Sequence, residues 1–158
     1  MSEPAPSSTP LVVAVDEQSV IAVDLDRWSE LATASLVDRG IVAGECTLLF
    51  VDEATIRDLN REHRSKDRPT DVLSFPLDGA DADHRDDLIG DIVICPSVAA
   101  GNAPEHAGQD HHTGTLEDEL GLLVVHGVLH LLGHDHEDDA EAEAMEALEQ
   151  ALLAAHLR

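Results

Sequence analysis

The stretch "LGLLVVHGVLHLLG", residues 120–133, is apolar on almost every position yet carries two histidines four residues apart. It is too long for a buried strand, and a helix that is apolar all round must be enclosed by the rest of the fold. Thr115 is the candidate N-cap, Glu117, Asp118 and Glu119 fall where the helix dipole favours acids, and Gly133 is the stop. The fold must therefore be built around one central helix that has to accommodate imidazoles.

A chain of 158 residues, 43% hydrophobic, buries a sizeable core without staples, and one domain over residues 11–158 is expected. Residues 1–10, "MSEPAPSSTP", have the composition of a disordered tail. They lack the cationic start and apolar core of a signal peptide or anchor, so a cytoplasmic protein without a membrane segment is expected. Cys46 and Cys95 sit in separate apolar runs with no metal-clip spacing and read as buried thiols.

The runs "LVVAV" and "SVIAV" read as two strands joined by "DEQ". Trp28, Leu31, Ala32, Ser35 and Leu36 recur at helical spacing between Asp26 and Arg39. "CTLLFV" reads as a strand, Asp52 as the cap of a helix over "EATIRDLNREH" with Ile56 and Leu59 inward, and "TDVLSFPL" and "LIGDIVICP" as two more strands. The polar "DGADADHRDD" between these two reads as a mobile loop, "SVAAGNAPEHA" as a short helix, and a last helix runs from about Glu137 to Leu157. The fold class is α+β: a single domain in which a mixed sheet of at least four strands packs with helices.

Charge narrows the partners. Thirty-three acidic residues against nine basic give a net −24, which repels polyanions overall, and three aromatic residues offer little for base stacking. Arg57, Arg61, Arg64, Lys66 and Arg68 nevertheless place five of the nine cations within twelve residues, as one basic site on an acidic body.

His126 and His130 share a helix face, close enough to grip one ion, and the turn at Gly133 can return His136 as a third ligand, with His134 the competing choice. The spacing H-x₃-H-x₂-G-x₂-H is that of metzincin peptidases, but Gly127 stands where those enzymes carry a Glu general base. The grip on zinc, at the end of the central helix, is kept while the proteolytic base is not. Glu119, seven residues before His126, falls on the same face and could orient a ligand, as could His134.

The segments "HGVLHLLGHDH", "LNREHRSKDRPTDVLSFP" and "IGDIVICP" resemble the characteristic blocks of the YbeY family of metal-dependent endoribonucleases that act in ribosomal RNA maturation. The resemblance covers most of residues 45–136. It implies an α+β metallohydrolase domain with one zinc on His126, His130 and His136, and an Arg at the position of Arg64 lining the cleft. His63 and His134 depart from the family, which often has aromatic residues there. Arg64 can hold phosphoryl oxygens bidentately, with Arg57, Arg61, Lys66 and Arg68 as substrate-binding cations. The implied partners are single-stranded RNA, rRNA precursors and the small ribosomal subunit, with neither DNA nor membrane. Two other functions compete: a metallopeptidase, disfavoured by Gly127, and a non-catalytic ribosome-assembly factor with structural zinc.

Overall fold

The computed structural model of the chain describes residues 9–76, 88–109, 111–134 and 138–157. Within them lie the strands β1 (Leu11–Asp16), β2 (Glu45–Phe50), β3 (Val72–Pro76) and β4 (Leu88–Ile94). The helices are α1 (Leu25–Asp38), α2 (Glu53–Arg64), α3 (Pro96–Asn102), α4 (Leu116–Leu131) and α5 (Asp139–His156). The strands form one mixed sheet in the order β1-β2-β4-β3, with β1, β2 and β4 parallel and β3 antiparallel to β4. This is the single α+β domain expected. The N-terminal tail up to residue 8 and the loop of residues 77–87 lie outside the described residues.

Local signals account for the elements. The Asp24, Asp52, Thr115 and Asp138 side chains each accept a backbone N–H three residues on, capping α1, α2, α4 and α5. Along α1, Trp28, Leu31, Ala32 and Leu36 are buried at the 3.6-residue period and face the sheet and α4. Ile56 is buried and Leu59 partly buried, as the pattern in α2 required. Both cysteines are buried, and burial pushes the Cys46 thiol up to about 12, leaving it protonated and inert.

The second strand expected over "SVIAV" does not form. The Gln18 carboxamide instead accepts from the Val20 and Ile21 N–H groups and donates to the Ile21 carbonyl at 2.7 Å, so the segment satisfies its own backbone without a neighbouring strand. Val20 remains 70% exposed. The short helix over "SVAAGNAPEHA" is present as α3, followed by a 3₁₀ turn over Ala103–His106.

Helix α4 lies at the centre, against β3, β4, α1, α3 and α5. Leu120, Leu123, Val124, Val125, Val128 and Leu129 are all buried. Each such side chain contributes about 1.5–3 kcal/mol by leaving water, which makes this helix the main apolar investment of the fold. Among the described residues no helix is long and apolar enough to cross a membrane.

Gly127 lets α4 pack closely on the sheet. A Cβ added there would lie 2.7 Å from Ile92 Cγ2, inside β4. Gly127→Ala is expected to cost about 1–3 kcal/mol through overpacking, read as a lowered midpoint in thermal unfolding followed by circular dichroism. An unchanged midpoint would mean that the helix and the sheet can separate without cost.

Candidate metal centre

A cavity of about 470 Å³ opens between the end of α4 and the edge strand β3. His126, His130, Gly133 and His134 line it from the helix side, Thr70, Asp71, Val72, Leu73, Ser74 and Pro76 from the strand side, and Arg64 from the end of α2.

The helix end explains how three histidines reach it. Gly133 has φ +94°, and the His134 N–H donates to the Leu129 carbonyl at 3.0 Å while the Gly133 N–H donates to the His130 carbonyl at 3.0 Å. That is a Schellman closure, which needs a left-handed residue and so favours glycine. It reverses the chain and delivers His134 to the same cavity as His126 and His130. His136 lies outside the described residues.

The Nε2 atoms of His126 and His130 are 3.0 Å apart, with ring centroids at 4.5 Å. Two imidazole nitrogens on a tetrahedral zinc, each about 2.0–2.1 Å from the ion, stand about 3.3 Å apart, so the pair is close to ligand spacing. His126 Nδ1 is hydrogen-bonded to Glu149 Oε2 of α5. With the Nδ1 proton given to that carboxylate, the His126 lone pair lies on Nε2, facing His130.

Glu119, expected to orient His126, is engaged elsewhere. Seven residues is about 10 Å along a helix, more than a side-chain hydrogen bond spans. Its fully buried Oε1 takes His106 Nδ1 at 2.6 Å and His112 Nε2 at 2.8 Å. The donor atoms of His106, His112 and Glu119 lie within 4.8 Å of one another, so this cluster could hold one metal ion. The Gly114 N–H, however, donates to His112 Nδ1 at 2.9 Å, which puts the ring proton on Nε2. An ion at His112 Nε2 must displace that proton and also the Gly114 bond, or take the ring as imidazolate. In the His126 and His130 pair the Nε2 atoms already face one another at 3.0 Å, so an ion there has to replace one ring proton and no backbone bond to Gly114 is at stake.

The basic segment is built on a turn. Ser65 adopts φ 58°, and the side chain of Asn60, a residue only 2% exposed, donates to the Arg68 carbonyl at 2.9 Å while the Asn60 backbone carbonyl accepts the Lys66 N–H at 3.3 Å. Arg57 pairs with Asp67 at 2.9 Å, and Arg61 with Asp58 at 3.0 Å and Asp67 at 3.6 Å. Hydrogen bonding to Arg57 is the main reason the Asp67 carboxyl is held below its usual range. All these groups are exposed, so the pairs can be exchanged for a competing anion. Lys66 and Arg68 are exposed, and of the five cations Arg64 lines the cavity.

Sequence reasoning missed Glu149, His106 and His112. Glu149 left a readable sign: it falls among Met145, Leu152 and Leu153, the inward positions of α5, where an acid is out of place unless paired. His106 ends the short 3₁₀ turn and His112 stands in irregular backbone, where no long periodicity marks a side as inward.

The family model for Endoribonuclease YbeY matches residues 14–156. The chain is 47% identical over 133 residues to an endoribonuclease YbeY of Stutzerimonas stutzeri, covering 84% of this chain and 77% of that one. It is 42% identical over 144 residues to the Alteromonas mediterranea protein of the same name, covering 89% and 87%. A solution structure of a Thermotoga maritima protein superposes with a TM-score of 0.59 at 31% identity, covering 90% of this chain and 87% of that one. On the length of the match and the identity to these relatives, the chain belongs to the YbeY endoribonuclease family.

Proposed function

We propose that the chain is a zinc-dependent, single-strand-specific endoribonuclease acting in rRNA maturation and ribosome quality control in the cytoplasm, on rRNA precursors and the small ribosomal subunit. The observation that carries this is one cavity joining Arg64 to the paired imidazoles of His126 and His130. His126, His130 and His136 would hold the ion, one per chain. Zinc on three imidazoles supplies a Lewis acid and brings the pKa of water near neutrality.

The chain's own residues supply the rest. Arg64 offers a planar fork of donors to phosphoryl oxygens, and Thr70 and Ser74 line the facing wall. Asp71, on the same wall, is an acceptor able to hold a proton from the attacking or the leaving oxygen. Gly127, the position of the metzincin base, faces Ile92 in the core, so a side chain there would point away from the cavity. Peptidase chemistry of that type has no place for its base.

The wild-type protein should cut unstructured RNA and leave casein and a DNA strand of the same sequence intact, with RNA cleavage abolished by a chelator and restored by zinc. Chelator-sensitive cleavage of casein, or RNA cleavage indifferent to chelator, would overturn the assignment.

A further inference from the structure

Glu149 is buried, its side chain 11% exposed, on an otherwise apolar face of α5. Burying an ionised carboxylate costs several kcal/mol unless something compensates it. Its hydrogen-bond partner is the Nδ1 of His126, 23 residues earlier on another helix. Met145, Leu152 and Leu153 seat α5 in the main core and so fix where the carboxylate stands.

We infer that Glu149 is the positioning residue for His126: it holds the Nδ1 proton and the ring plane so that Nε2 is the atom presented to the metal. This rests on His126 being a metal ligand, as proposed above. Carboxylates of this kind fix the tautomer of a ligating imidazole and raise its basicity. The affinity of the centre would thus be set in part by α5, a helix that lines no wall of the cavity.

The test measures zinc affinity by competition with a chromophoric chelator in wild type, Glu149→Gln, Glu149→Leu, His126→Ala and the exposed α5 control Glu146→Gln. Glu149→Gln keeps shape and removes charge; Glu149→Leu removes the acceptor altogether. Affinity should fall about 10-fold to 100-fold in the two Glu149 variants and stay unchanged in the control. In the metal-free protein, ¹⁵N shifts of the His126 ring should report a protonated Nδ1 in wild type and a mixed tautomer in Glu149→Leu, which loss of packing alone would not produce. Wild-type affinity in both Glu149 variants, with zinc lost from His126→Ala, would overturn the positioning role. Zinc retained in His126→Ala would overturn instead the metal reading on which it stands.

Discussion

Replacing His130 with alanine should strip zinc from the protein and reduce RNA cleavage by a factor on the order of a thousand or more. Three imidazoles would leave one coordination position for chemistry on a proposed zinc, and removing one from the pair at 3.0 Å would leave a site too poor to hold it. Lewis-acid stabilisation of a phosphoryl transition state is worth several kcal/mol, and about 4 kcal/mol is about a thousandfold in rate. His130 is only partly buried, so the fold should survive the truncation. Elemental analysis of protein purified without added metal, beside a cleavage assay, checks both halves. Full zinc retention in the variant would place the metal elsewhere, with His106, His112 and Glu119 the first cluster to examine.

Arg64→Ala should separate catalysis from metal binding. The guanidinium reaches the cavity from the end of α2, whereas the histidines come from α4, so the variant should fold and keep its zinc. Loss of one positioned donor to a charge that develops in the transition state costs on the order of a hundredfold or more. Binding of single-stranded RNA should weaken far less, because Arg57, Arg61, Lys66 and Arg68 remain to neutralise phosphates, with the usual dependence on salt. Single-turnover cleavage and filter binding at two salt concentrations measure the two effects. Wild-type cleavage, or loss of zinc together with activity, would remove Arg64 from the role given to it.

The elements most legible in the sequence were those whose signals are local. The caps at Asp52 and Thr115, the stripe of Trp28, Leu31, Ala32 and Leu36, and the stop at Gly133 each act within a turn or two of helix, and each is in place. The spacing of His126 and His130 was equally local, and the rings do meet. Two kinds of information were out of reach. The "SVIAV" segment is β-branched enough to be a strand, but its backbone is satisfied by Gln18, a competition that propensity does not weigh. The carboxylate bonded to His126 is Glu149 and not the expected Glu119, because a partner 23 residues away on α5 is a matter of tertiary docking, whereas the seven-residue spacing to Glu119 looked local and spanned too far.

The clasp that buried Asn60 makes across the turn after α2 bears on how an acidic protein meets a polyanion. A chain of net charge −24 gains little from long-range attraction and must rely on contacts made at close range. Such contacts are weak if the loop that carries them has to be ordered first, since fixing each backbone residue costs about 1–2 kcal/mol in conformational entropy. Here the carbonyl of Arg68 and the N–H of Lys66 are already tied to Asn60, so the cations arrive on a turn whose ordering was completed during folding. Association then has to immobilise side chains alone, and the penalty a flexible loop would impose on every encounter with substrate is met once, when the chain folds.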